Sequence, residues 1–343
     1  MTTVTKEGLH VTSGGMATQR VAVAPADLPG DGVAQLASAV PTSVWPQPNA
    51  PTPSELASFV GDAEALLCTS AFAIDEALLA ACPNLHTVAL VSVGYDKVNV
   101  ADCRRHNVMV TNTPGVLQHS AADIAIALMI GARRLTNAAI TMLRRGTWGP
   151  LGMQEMLGLD VSGCTLGVVG MGEIGREVAR RAQGFDMTVI HNNRSRSDEV
   201  GSTWKPFDEL LATADIVSLH VPLSPETRHL IGARELALMK PTATLVNTAR
   251  GAVVDTDALV AALRTGRIHS AGLDVFETEP FADLSHPLFS LPNACLLPHV
   301  GSATQTTRAG MVARAAENIL ARVQGKPALH PIAELVDMNG VLA

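Results

Sequence analysis

LGVVGMGEIGREVARR, from Leu166 to Arg181, decides the fold. An apolar run of strand character leads into Gly170-Met171-Gly172-Glu173-Ile174-Gly175, and a helical pattern follows at once. Gly170 permits a tight turn, Gly172 lets the backbone approach a pyrophosphate, and Gly175 lets helix and strand pack closely. The helix start then presents unpaired N–H groups and the positive end of its dipole to phosphates. GxGxxG alone is a weak signal, because glycine turns are common. Here strand, turn and helix are followed by a further strand at Thr188, so residues 170 to 175 are expected to bind a dinucleotide.

The same rhythm runs outward in both directions. Upstream, Val21–Ala24, Ala65–Cys68, Thr87–Val91 and Val108–Thr111 read as strands separated by Ala- and Leu-rich helical segments. Downstream, Thr188–His191, Ile216–His220, Thr244–Asn247, Ser270–Asp274 and Ala294–Leu297 read the same way. Most are near-continuous apolar runs, as strands buried on both faces require. Alternating strands and helices predict an α/β protein of two doubly wound parallel-sheet domains, with a cleft between them. A long helix over Ser120–Gly146 is expected to link them, and a last helix over Ala303–Gly325 to cross back. The predicted domains are a substrate-binding one at 20–115 plus 301–335 and a Rossmann dinucleotide domain at 116–300. Residues 1–19 read as a flexible arm or a start-site extension ending near Met16.

Composition narrows the function. Hydrophobic residues make up 47% of 343 and charged residues 17%, which excludes a disordered chain. Aromatics are only 3%, so the core must come from Ala, Val, Leu, Ile and Met. A net charge of −7 argues against a nucleic-acid partner. The longest apolar run, Ile124–Ala132, is far short of the roughly twenty residues of a membrane span. The first twenty residues carry no apolar signal core, and the five cysteines form no CxxC. The expectation is therefore a reduced, cytoplasmic protein with no membrane partner. The 11 histidines include no HxH or HxxxH pair, so no metal site is expected.

The strand after the glycine turn ends in Asn193-Arg194-Ser195-Arg196, with Asn193 23 residues after Gly170. An NAD-binding unit is expected to carry Asp or Glu there for the ribose. A carboxylate would repel a 2′-phosphate, whereas two arginines and a serine could hold one. NADP(H) is therefore the preferred cofactor, with NAD(H) possible.

Three titratable residues follow strands of the second series: Arg250 in NTARG, Glu279 in GLDVFETEP and His299 in LLPHVG. Ligands of doubly wound sheets bind outside the carboxyl ends of the strands, so all three can converge on one crevice. Together they supply an anion clamp, an acid/base and a carboxylate to orient it.

At these residues the sequence resembles the D-isomer-specific 2-hydroxyacid dehydrogenases. The matching stretches are SVGYDKVNV (Ser92–Val100), VTNTPGVL (Val110–Leu117), GVVGMGEIG, VPLSPETRHLI (Val221–Ile231), LVNTARGAVVD (Leu245–Asp255), AGLDVFETEP (Ala271–Pro280) and LLPHVGSAT (Leu296–Thr304). They run from about residue 20 to 330 in the family's order and spacing. Within the family the chain is most similar to glyoxylate/hydroxypyruvate reductases and 2-ketogluconate reductases, which tend to prefer NADPH.

The resemblance implies reduction of small 2-keto acids, first glyoxylate and hydroxypyruvate, to D-2-hydroxy acids by hydride transfer. Arg250 would bind the substrate carboxylate and polarise the carbonyl. His299 would protonate the carbonyl oxygen, and Glu279 would orient His299. Val93 and Gly94 would hold the carboxylate through backbone N–H groups. His220, Val221, Pro222, Thr227, Thr248, Ala249 and Gly301 would border the cofactor, with Asp274 receiving the nicotinamide carboxamide. A homodimer through the nucleotide domains is implied, using the Ser120–Gly146 helix. Two departures stand out. Asp123 replaces a common Glu, and Leu151–Leu157 replaces an aromatic-bearing stretch, leaving Met153, Met156 or no residue to reach the neighbouring subunit's pocket. The competing readings are 2-ketogluconate reductase, 3-phosphoglycerate dehydrogenase and, outside enzymes, a dinucleotide-sensing corepressor-like protein.

Overall fold

A computed structural model of the protein describes residues 20–197, 199, 201–281 and 283–340. The expected N-terminal arm, 1–19, lies outside the described residues. The chain divides into two compact units, 1–117 with 303–343 and 118–302.

The first unit carries strands β1 (Val21–Ala24), β2 (Thr42–Val44), β3 (Ala65–Cys68), β4 (Thr87–Leu90) and β5 (Met109–Thr111). They form one parallel sheet in the order β2-β1-β3-β4-β5. Helices α1 (Gly32–Ala39), α2 (Pro53–Val60), α3 (Glu76–Ala81) and α4 (Val100–Arg105) connect them. Side chains alternate across a strand, so a strand covered on both faces must be apolar throughout. Val21 and Val23 of β1 pack into one buried cluster, and Ala22 and Ala24 into another on the opposite face. The face bearing Val21 is closed by Ala315, Ala316 and Ile319 of helix α11 (Gln305–Val323), the last long helix of the chain.

The second unit begins with α5 (Gln118–Arg133) and α6 (Thr136–Arg144). Its strands are β6 (Thr165–Val169), β7 (Thr188–Asn192), β8 (Thr203–Trp204), β9 (Ile216–Leu219), β10 (Thr244–Asn247), β11 (Ser270–Leu273) and β12 (Ala294–Leu296). They too are all parallel, in the order β12-β11-β10-β9-β6-β7-β8. Helices α7 (Glu173–Ala182), α8 (Phe207–Thr213), α9 (Ala233–Leu238) and α10 (Thr256–Arg264) provide the crossovers. The sheet again separates two cores, with Val169, Val217 and Leu245 on one side and Val168, Ile216 and Val246 on the other.

One expectation is corrected. The single helix over 120–146 is two helices meeting at a 72° bend. Leu135 at the break is left-handed, with φ 53. The buried Arg133 side chain donates to the carbonyls of Asp160, Asp215 and Thr242, while the Arg133 carbonyl accepts from Leu159 N. Those bonds stop α5 from continuing. Two short strands were not anticipated, β2 and β8, both at sheet edges. Among the described residues no single helix is long and apolar enough to cross a membrane, and no group of three or more His, Cys, Asp or Glu could hold a metal ion.

Candidate active site

The glycine turn leaves β6 at Gly170, whose φ of +95 is left-handed. A Cβ there would lie 2.6 Å from the His220 carbonyl oxygen, and one at Gly175 would lie 2.2 Å from the Gly170 carbonyl oxygen. At Gly172 nothing lies within 4 Å. The turn is therefore closed on its protein side and open at Gly172, the N-cap of α7. That cradle fits the pyrophosphate of a dinucleotide, held by the backbone of residues 170 to 175. Asn193 braces it: Met171 N donates to Asn193 Oδ1 at 2.7 Å, and Asn193 Nδ2 donates to Ser197 Oγ at 3.1 Å.

Beyond Asn193 the chain exposes Arg194, Ser195 and Arg196. Arg196 lies over the Trp204 ring, 5.8 Å from its centroid. Arg194 is near enough to Glu226 for its charge to add to the Ser224 hydroxyl and backbone N–H bonds that hold that carboxyl below its ordinary range. The groove wall is built by the next strand end. Burial drives the His220 imidazole down to about 4, so it is neutral, with Nε2 on Ser218 Oγ at 2.8 Å. The Thr227 hydroxyl donates to the Pro222 carbonyl at 2.6 Å and accepts from Ser224 N, closing the turn that follows Val221. Thr248 Oγ1 and His220 Nδ1 are buried without a protein partner.

Neighbouring strands β10, β11 and β12 pair in parallel register, so Asn247, Leu273 and Leu296 stand side by side. Arg250, Asp274, Glu279 and His299 all follow from that edge. Asn247 is buried; it accepts from Ala249 N at 3.0 Å and donates to the Arg250 carbonyl at 2.8 Å, fixing the turn that carries Arg250. The buried Asp274 carboxylate accepts from Val300 N at 2.8 Å and Gly301 N at 2.7 Å, while its carbonyl accepts from His299 N. Burial raises the Asp274 carboxyl above its ordinary value, although those two N–H groups oppose the rise. His299 itself is left-handed, with φ 55, a conformation that this double tie holds in place.

Glu279 Oε2 lies 2.5 Å from His299 Nδ1, and Glu279 Oε1 accepts from Phe276 N at 2.9 Å. Burial alone would raise the Glu279 carboxyl. The His299 and Phe276 bonds and the charges of His299 and Arg250 outweigh it and leave it below the ordinary range. An ionised Glu279 makes Nδ1 the donor and directs Nε2 to the other side of the ring. The arrangement can deliver a proton from Nε2, while the Arg250 guanidinium, which donates to the Ala249 carbonyl at 2.8 Å, is near enough for its charge to act on Glu279.

The structure thus brings Arg250, Asp274, Glu279, His299 and Gly301 together. Asn247 and the Phe276 N–H were not singled out from the sequence, although Asn247 lies within the quoted NTARG. Val93 and Gly94 belong to the other unit, where Ser92 Oγ and Asn112 Nδ2 hold the Gly94 and Val93 carbonyls, each at 2.8 Å. Met153 is 92% exposed.

The family model described as D-isomer specific 2-hydroxyacid dehydrogenase, NAD binding domain, matches residues 126–301. A glyoxylate reductase of Thermococcus litoralis is 41% identical over 307 residues, covering 87% of this chain and 92% of that one. The crystal structure of a glyoxylate reductase from Paecilomyes thermophila aligns with a TM-score of 0.84 at 34% identity, over 93% of this chain and 99% of that one. An NADPH-dependent glyoxylate/hydroxypyruvate reductase from Sinorhizobium meliloti aligns at 0.80 with 32% identity, over 92% and 98%. With this fold and site, the chain belongs to the D-isomer-specific 2-hydroxyacid dehydrogenases, NAD(P)-dependent enzymes close to the glyoxylate/hydroxypyruvate reductases.

Proposed function

We propose that the protein reduces glyoxylate and hydroxypyruvate, with NADPH preferred to NADH and His299 as the proton donor. The 2.5 Å contact between His299 Nδ1 and Glu279 carries this reading, because it turns an exposed imidazole into an oriented acid. The bound dinucleotide supplies the hydride. Arg250 holds the substrate carboxylate and draws electron density from the carbonyl. His299 passes its Nε2 proton to the carbonyl oxygen, and Glu279 keeps the ring aligned through Nδ1. In this reading Asp274, fixed by Val300 and Gly301, accepts from the carboxamide. Similarity to an NADPH-dependent reductase and the absence of an acid at Asn193 support the cofactor choice. A panel of 2-keto acids assayed with NADPH and NADH side by side tests all of this. No turnover of glyoxylate or hydroxypyruvate, or equal kcat/KM for the two dinucleotides, would overturn the corresponding part.

The same proposal includes a homodimer. Helix α6 has no buried residue, and Ile140, Leu143, Trp148, Leu151 and Met153 expose apolar surface along it and beyond. Exposed apolar side chains gathered in one stretch of chain favour a protein partner. Light scattering giving a monomer at micromolar concentration would refute it. All five cysteines are unpaired, which supports a cytoplasmic location.

A further inference from the structure

We infer that Glu277 is a positioning residue for the active site, a clamp that ties the loop bearing Glu279 to the segments bearing Arg250 and Thr227. Its two carboxylate oxygens reach in different directions. Oε1 accepts from Thr256 N, the first residue of α10, at 2.9 Å. Oε2 meets His229 Nε2 at 3.1 Å. The elements so joined are already paired with each other: His229 N donates to the Ala252 carbonyl, Ile231 N to Val253, and Asp255 N to Ile231. Residues 229–231 and 252–255 therefore form one rigid strap that begins beside Thr227 and directly after Arg250.

Glu277 fastens the third segment to that strap. The Phe276–Glu277 peptide passes so close to Gly251 that no Cβ would fit there. On the other side Phe276 packs against Phe281 and Phe289, with ring centroids 5.6 and 5.9 Å away. Its N–H is the one that binds Glu279 Oε1. Glu277 thus sets where the Phe276 N–H points, and through it where Glu279 holds His299. The Thr256 N–H and hydroxyl and His229 keep the Glu277 carboxyl below its ordinary range despite the opposing effect of burial, so the clamp is charged at neutral pH.

This inference rests on the roles proposed above for Glu279 and His299, and the test separates the two. Glu277→Ala should speed hydrogen exchange in a peptide spanning residues 274 to 281 by about tenfold or more, a readout that needs no activity. It should lower kcat by about tenfold, because misplacing catalytic groups is costly, while KM for the dinucleotide stays within about twofold. With the Phe276 N–H loosened, Glu279, which faces His299 and the charge of Arg250, protonates at higher pH. The acidic limb of kcat/KM then moves upward. Glu277→Gln keeps an acceptor for Thr256 N and should restore exchange and kcat to within about threefold. A lower Tm with unchanged exchange, kcat and acidic limb would overturn the inference. If Glu277→Ala does not fold, His229→Asn tolerates the left-handed backbone there (φ 51) and removes one arm. Unchanged exchange in that variant would also overturn it. If the unmodified protein reduces no 2-keto acid, the functional proposal fails, and hydrogen exchange still decides the clamp.

Discussion

Gly251→Ala adds one methyl group at the junction between the loops that bear Arg250 and Glu279. The new Cβ would lie 1.8 Å from the carbonyl carbon of Phe276, 2.1 Å from its oxygen and 2.3 Å from Glu277 N. Ordinary contact starts near 3.4 Å, so one backbone must retreat by about 3.4 − 1.8 = 1.6 Å. No side-chain rotation can relieve this, because every atom in the way is main chain. Gly251 is buried and its neighbours are bonded to residues 229–231, so one side resists. Phe276 resists on the other, held by Glu279 and by its ring contacts. The displacement is shared between Arg250 and Glu279. A misplacement of about 1 Å costs on the order of 10²-fold in rate, or about 2.7 kcal/mol of barrier. We therefore expect kcat/KM for glyoxylate to fall about 10²-fold or more. Overpacking should also remove about 1–3 kcal/mol of stability. Steady-state kinetics, thermal unfolding and a dinucleotide titration together separate the two effects. Dinucleotide affinity should change far less than kcat, since the glycine cradle stands on β6 and α7. A Gly251→Ala enzyme with kcat/KM within about threefold of the unmodified protein would refute the reasoning.

Other outcomes follow from the same geometry. His299→Ala should lower kcat roughly 10²–10⁴-fold with the fold intact by circular dichroism, and near-normal turnover would remove His299 from its role. If NADPH is preferred as proposed, Asn193→Asp combined with Arg194→Ser should turn that preference toward NADH. Each lost charge-assisted bond is worth about 1.5–3 kcal/mol, so the ratio of kcat/KM values should move about ten- to hundredfold or more. The His220 imidazole is buried and titrates near 4 rather than 6.5, so the unfolded chain binds its proton first on acidification. Stability should therefore be lost as pH falls through that window and level off below it. The difference in Tm between the unmodified protein and His220→Asn, followed across the window, should change in that sense; a constant difference would contradict it.

Much of the architecture was readable because a parallel strand covered on both faces cannot hide its apolar run. Val21–Ala24, Ala65–Cys68 and Thr244–Asn247 were found at their structural bounds. Thr42–Val44 and Thr203–Trp204 were missed for the converse reason: at sheet edges, half-exposed, they need no such run. The bend at Leu135 has no local signal, as Arg133-Arg134-Leu135-Thr136 contains neither Gly nor Pro. Distant carbonyls bind Arg133 and impose it. In the candidate site, residues at strand ends were legible because the topology brings strand ends together. Glu277 and His229 were not, since 48 residues separate partners that only a folded loop brings into contact. The second arginine of the basic loop also reads differently in three dimensions, because Trp204 engages Arg196.

The first unit is built from both ends of the chain, and this bears on its synthesis. Its five strands are complete by Thr111, yet Ala315, Ala316 and Ile319, which close one face of the sheet, are translated some two hundred residues later. A ribosome therefore finishes the whole second unit while Val21, Val23, Ala65, Leu67 and Ala89 still lack the part of their cover that α11 supplies. Nascent chains paused anywhere between β5 and α11 carry an apolar parallel sheet covered on that side by α1 but not yet by α11, and partly exposed surface of that kind recruits chaperones or aggregates. The dinucleotide unit is contiguous and has no such wait. Release of the last helix completes the first unit in one late step.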